Sequence, residues 1–339
     1  MFISVLSLIF GLILILIAAE FFTNGIEEFG RHFSFSQAVV GSIFAAVGTA
    51  LPETILPVVA IFMYGGASAK EIGVGAILGA PFMLSTLAFF LVGLTVTIAA
   101  LRKKRNFELK VEAHSIRRDL IFFLLMYSTA IILPLIGGKP LLIPISFALV
   151  AGYVFYAYLT FRSESADMEH SEGMYLWRII QRFMPSLLRP KPPLLVILGQ
   201  VVLALIVMIK GAHTFVQSLE VISARFGMDP LIFALLLAPV ATELPEKFNS
   251  VTWTWKGRDT LALGNITGAM VFQSTFPVSV GLIYTDWNIT GMALFSAVLA
   301  ISSALTVLGA ITFTKRISPL AMLFGGILYL VYAATLVLR

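Results

Sequence analysis

Apolar residues run in long, nearly unbroken stretches along almost the whole chain, separated by short polar or Gly/Pro-rich breaks. Cutting at those breaks predicts spans near 3–22, 36–64, 72–100, 119–136, 141–161, 194–220, 230–255, 260–285, 290–313 and 317–338. Each is near or above the roughly 20 residues that a helix needs to cross a bilayer. Continuous runs of this kind exclude a β-barrel, whose strands alternate apolar and polar positions. The expected fold is therefore all-α and integral to the membrane, with ten transmembrane helices. Five fall before the polar stretch 162–193 and five after it, which divides the chain into 1–161, a cytoplasmic linker 162–193, and 194–339.

The two sets of five are related. Ala18 to Glu53 aligns without gaps on Gly211 to Glu246, placing Glu27 on Glu220, Phe33 on Phe226, Thr49 on Thr242, Pro52 on Pro245 and Glu53 on Glu246. Downstream, Gly75-Ala76-Ile77-Leu78-Gly79-Ala80 answers Gly264-Asn265-Ile266-Thr267-Gly268-Ala269. An odd number of spans per copy makes the second copy enter the bilayer from the opposite side. Two inverted five-helix repeats are the expected arrangement, and such repeats mark alternating-access transporters with sites near the midplane.

Composition agrees with the pattern, at 59% hydrophobic and only 12% charged residues with a mean hydropathy of +0.96. The net charge of +5 does not point to nucleic acid, because the bases gather in loops between spans. Loops on one side carry 17 Lys and Arg, including Arg102 to Arg105 and Arg178, Arg182, Arg189 and Lys191; the other side has Lys70, Lys139, Arg225 and Arg339. The bias puts the first group in the cytoplasm and both termini outside, in a plasma or inner membrane. Met1 onward lacks the basic flank and cleavage site of a secretory signal and reads as a retained first span. No cysteine is present, so thiolate ligands and nucleophiles are excluded.

Candidate chemistry lies in the two matched interruptions, Gly48-Thr49-Ala50-Leu51-Pro52-Glu53 and Ala241-Thr242-Glu243-Leu244-Pro245-Glu246. A carboxylate inside a membrane span is costly and by default functional. Pro52 and Pro245 have no amide hydrogen, so the carbonyls of Gly48 and Ala241 lose their helical partners. Thr49 and Glu53 are four apart, as are Thr242 and Glu246, so each hydroxyl shares a face with its carboxylate. Two bidentate carboxylates and two freed carbonyls approach the six to eight oxygens that calcium takes. The same carboxylates can hold monovalent ions or protons instead, and that competition is exchange.

These elements resemble the two α-repeats of the calcium/cation antiporter superfamily, whose sodium/calcium exchanger branch has ten spans in two inverted halves. The resemblance implies Glu53 and Glu246 as central calcium ligands, with Thr49 and Thr242 lining sodium or calcium sites and Asn265 and Gln273 lining the pathway. It departs where exchangers usually have serine before Leu-Pro-Glu, since Ala50 and Glu243 stand there, and where Gly79-Ala80-Pro81 and Gly268-Ala269-Met270 replace Gly-Ser-Asn. Several sodium ligands are thereby missing, which leaves protons beside sodium as coupling ion. Glu243 joins the candidate ligands, and Lys247, four residues later, is expected to pair with it and compensate charge.

The expected function is a cation antiporter that exports Ca²⁺ in exchange for Na⁺ or H⁺, without a resident cofactor and with lipid and inorganic cations as its partners. A sodium/proton or other divalent-cation exchanger is the alternative. An intramembrane enzyme is disfavoured, because no aspartate pair, Ser/His arrangement or His-x-x-x-His motif occurs in the spans. Glu20 and His213 read as interfacial or packing side chains, with a proton relay as the alternative. Lys210 reads as an interface anchor, and Trp253, Trp255 and Trp287 as members of an aromatic belt. Asn265, Thr267, Gln273 and Ser274 either line the pathway or join helices by hydrogen bonds, with family position favouring the pathway for Asn265 and Gln273. Residues 174–184 are expected as a short helix on the membrane surface, and the acidic run 163–170 as a solvated loop.

Overall fold

The computed structural model describes residues 2–33, 46–64, 66–163, 174–183, 192–314 and 317–338. They form helices α1 (Phe2–His32), α2 (Ala46–Val58), α3 (Ala67–Leu101), α4 (Ala113–Gly137), α5 (Leu142–Ser163), α6 (Tyr175–Phe183) and α7 (Leu194–Phe226). There follow α8 (Pro230–Trp255), α9 (Asp259–Gln273), α10 (Phe276–Tyr284), α11 (Gly291–Thr314) and α12 (Pro319–Val337). Among the described residues there is no strand, only the isolated bridge between Leu109 and Ile317. Among the described residues, eight helices or helix pairs are long and apolar enough to cross a membrane, and Pro52–Tyr64 and Pro230–Val240 are shorter apolar stretches. Those two stretches lie in the spans that carry the acidic motifs, where polar residues interrupt the apolar run.

Several boundaries differ from expectation for local reasons. The loop expected at 23–35 is helical up to His32, because Glu27 and Glu28 reach Arg31 across one turn. The expected breaks at the acidic motifs are not breaks of the helix path: α2 continues through Pro52 and Pro57 into a π-helical turn at Val59–Tyr64, and α8 runs on through Pro245. A proline removes one donor, and a membrane helix absorbs that loss by local adjustment of its ladder. The span expected at 260–285 does break, between α9 and α10 at Ser274 and Thr275. The acidic run 163–170 lies almost wholly outside the described residues.

Two compact units are distinguished: Met1–Tyr64 with Ala157–Ile222, and Gly65–Tyr156 with Ser223–Arg339. In the first, α1 and α7 touch backbone to backbone. A Cβ on Gly11 would lie 2.8 Å from the Gly211 carbonyl oxygen, and one on Gly211 would lie 2.9 Å from that of Gly11. Small residues drive such contacts in membranes because dispersion replaces the hydrophobic effect. The short helix α6 is docked on protein through its own N-terminus. The Tyr175 N–H donates to Asn24 Oδ1 and the Leu176 N–H to Gln200 Oε1, each at 2.9 Å. Those donors would otherwise be unmet at a helix start. Met174 and Trp177 pack against Ile197 and Phe29 beneath it.

In the second unit, α3 lies against α8 with Gly75 and Gly79 at the contact; a Cβ at either would fall 2.1 Å from the carbonyl oxygen of Leu231 or Leu235. Past Pro81, α3 changes to a π-helical turn at Leu84–Ala88. There the Ser85 and Thr86 hydroxyls return to the carbonyls of Pro81 and Phe82, and Ser303 donates to the Ser85 carbonyl. Trp287 corrects the aromatic-belt expectation. It is 5% exposed, has a positive φ of 44°, and donates its indole N–H to the Ala130 carbonyl at 3.0 Å. The bare face of Gly281 makes the room for its ring. Trp255, by contrast, stacks beneath Arg102 and Lys104.

Candidate cation site

The first motif sits on α2. Gly48 and Thr49 occupy its early turns, and their surroundings lie outside the described residues. Glu53 follows Pro52 inside the helix and is only 8% exposed. Glu20 and His213, in the same unit, are both at exposed positions. Glu20 accepts from the Tyr175 hydroxyl at 2.8 Å, and the His213 ring meets Tyr64 edge-on at 5.1 Å.

The second motif sits on α8, whose start is set by Asp229. Its carboxylate accepts from the Leu231 N–H at 2.8 Å, and Pro230 fills the first helical position. Ala241 and Glu246 lie on this helix, and their side chains are outside the described residues. Thr242 is buried and donates to the Ala238 carbonyl at 3.1 Å. One turn along, Glu243 (1% exposed) and Lys247 (3% exposed) form a buried ion pair through Glu243 Oε2. Among the described residues, the other carboxylate oxygen, Oε1, accepts no hydrogen bond. Burial on this scale is tolerable for a lysine only with such a partner, since an unpaired buried charge costs several kcal/mol.

The downstream element joins α8 through amide and hydroxyl groups. Asn265 on α9 donates to Ser250 Oγ on α8 at 3.3 Å, and Gln273 closes α9 almost fully buried. Thr267, left open between pathway and helix-joining, is a helix joiner: it donates to Asp119 Oδ2 at 2.7 Å. Asp119 is 2% exposed and also accepts from Tyr156 at 3.1 Å and Arg118 at 3.3 Å, tying α4, α5 and α9 together. Sequence reasoning passed over Asp119 because it opens a span next to Arg117 and Arg118, where a carboxylate reads as interfacial. Asp259 was missed in the same way. It is buried at the start of α9, clamped by both Arg105 guanidinium nitrogens and by the Lys110 N–H. Among the described residues no three His, Asp or Glu side chains gather as a ready metal centre.

Comparison with known proteins places this arrangement. The profile of the family described as sodium/calcium exchanger protein matches residues 3–162 and 196–339, nearly the whole chain. The chain belongs to the sodium/calcium exchanger family. It is a multi-pass membrane protein of that family, and the calcium/cation antiporter resemblance of its motifs is thereby established. An uncharacterized membrane protein of Methanocaldococcus jannaschii is 24% identical over 279 residues, covering 81% of this chain and 80% of that protein. The crystal structure of the H⁺/Ca²⁺ exchanger CAX superimposes with a TM-score of 0.69 at 18% identity, over 98% of this chain and 82% of that one. A structure of the sodium-calcium exchanger NCX_Mj gives 0.55 at 20% identity, over 98% and 97%. At these identities the likeness is one of fold, and it takes in 98% of this chain in both structures.

Proposed function

We propose that this exchanger-family chain moves calcium outward against entering sodium or protons by alternating access, through ten spans in two inverted five-helix repeats. Glu53 and Glu246 are the principal ligands of one shared midplane site. Thr49, Thr242 and the carbonyls of Gly48 and Ala241 supply further oxygens, and Glu243, Asn265 and Gln273 supply the rest of the polar lining. The transported ions are substrates and the protein keeps no resident cofactor. In this reading the membrane is the plasma or inner membrane, both termini lie outside, and 162–193 is a cytoplasmic linker between the halves.

The observation that carries the reading is Glu53, buried directly after a proline within α2, in a family member whose α8 repeats the same Pro-Glu pair. A buried carboxylate on such a helix is suited to holding a cation or a proton. Protons gain weight as the coupling ion from Ala50 and Glu243, which stand where exchangers carry a sodium-binding serine. The test is calcium flux in proteoliposomes with sodium and proton gradients imposed separately. Calcium movement driven by one of them supports the proposal and identifies the coupling ion. Movement driven by neither contradicts it, and gradient-driven flux of another divalent ion or of sodium against protons would replace calcium in the reading.

A further inference from the structure

The Glu243–Lys247 pair is the most unusual feature of the second motif. Both side chains are almost completely buried, one helical turn apart, and Lys247 is the immediate neighbour of Glu246. Only one carboxylate oxygen is used by the ammonium; the other has no donor among the described residues. A pair kept purely for stability would be a poor choice, because well-packed apolar residues do that work as well or better. The first copy has Ala50 and Thr54 at the matching positions, so the motif itself does not require the pair.

We propose that the Lys247 ammonium is a resident cation of the transport site, permanently occupying a position that a mobile monovalent ion would otherwise fill beside Glu243. The inference rests on the exchange reading above and deepens it by setting the charge carried per cycle. Glu53, Glu246 and Glu243 bring three negative charges and Lys247 one positive. The remaining two are neutralised by one divalent ion in one direction or by two monovalent ions in the other. Exchange in the native protein is then electroneutral. Removing the ammonium leaves a third negative charge, which recruits a third monovalent ion and makes the cycle carry net charge. Glu243 is the residue that binds this resident cation, and Lys247 is the specificity-determining residue that excludes a mobile one.

The experiment measures gradient-driven calcium flux in proteoliposomes at imposed inside-negative and inside-positive potentials. The native protein is expected to run at the same rate at both. Lys247→Met is expected to change rate several-fold between them, and the double variant Glu243→Gln with Lys247→Met is expected to lose that dependence again, whatever its rate. A second readout covers loss of transport. The purified Lys247→Met protein should gain more in melting temperature than the native and double-variant proteins do, from added sodium chloride where sodium is the coupling ion or from lowered pH where protons are. Calcium flux that is potential-dependent in the native protein, or potential-independent in Lys247→Met, overturns the inference, as does an inactive Lys247→Met whose melting responds to sodium chloride and to pH no more than that of the double variant. Absence of gradient-driven flux in the native protein instead rejects the exchange reading, and the melting series then decides the resident ammonium alone.

Discussion

Gly75 and Gly79 on α3 hold the same places in the first motif copy as Gly264 and Gly268 on α9 hold in the second, with the same spacing and similar neighbours. Their surroundings differ. The first pair lets two helices meet backbone to backbone, since a Cβ at either would collide with an α8 carbonyl at 2.1 Å. Around Gly264 no described atom comes within 4 Å of a Cβ, and around Gly268 the nearest is the Tyr156 hydroxyl oxygen at 3.8 Å. The acidic positions diverge in parallel, because α8 adds the Glu243–Lys247 pair where α2 has Ala50 and Thr54. One duplicated pattern is thus used for close packing in one copy, while in the other the helix is held by Thr267 and Asn265 hydrogen bonds. Shared sequence between repeats fixes the type of element and leaves the contact to be decided by what lies opposite.

The comparison is broken most severely at the residues both copies keep. Glu53→Gln and Glu246→Gln are each expected to reduce exchange to background in the flux assay, whereas Glu169→Gln in the linker should leave it unchanged. Retained exchange in both motif variants would move the site elsewhere. Where the copies differ, Glu243→Ala strands a buried ammonium and should cost about 3–5 kcal/mol in a reversible unfolding titration. Gly79→Ala forces α3 away from α8 and should cost about 1–3 kcal/mol by the same titration, while Gly264→Ala should stay within about 0.5 kcal/mol. Equal losses at Gly79 and Gly264 would mean that both glycines are close-packing sites after all. The smallest effect is expected for Thr267→Val, about 1 kcal/mol, as for single hydrogen bonds between membrane helices.

Much of this was readable from residue order, for physical reasons that also mark where reading stopped. Span positions followed from hydropathy because a bilayer imposes a fixed length of apolar helix, and α8 was located to the residue. Helix ends were less legible at α1, where Glu27, Glu28 and Arg31 extend the helix by pairing beyond the apolar stretch. Proline spacing overstated its consequence at α2 and α8, since both helices continue through it. The Glu243–Lys247 contact was legible because its partners are four apart on one helix. Asp119 with Thr267, and Arg105 with Asp259, join positions about 150 apart, and no local pattern announces them. Trp287 near a span end reads as a belt residue until the space left by Gly281 is seen.

The absence of native cysteine allows the proposal of a shared site to be tested directly. In purified protein carrying both Glu53→Cys and Glu246→Cys, equilibrium binding of Cd²⁺ should show one ion per chain. Its affinity should be at least roughly a hundredfold above that of either single variant, as two thiolates facing one ion chelate it. Double-variant binding no tighter than the singles would mean that the two motifs do not meet around a common cation.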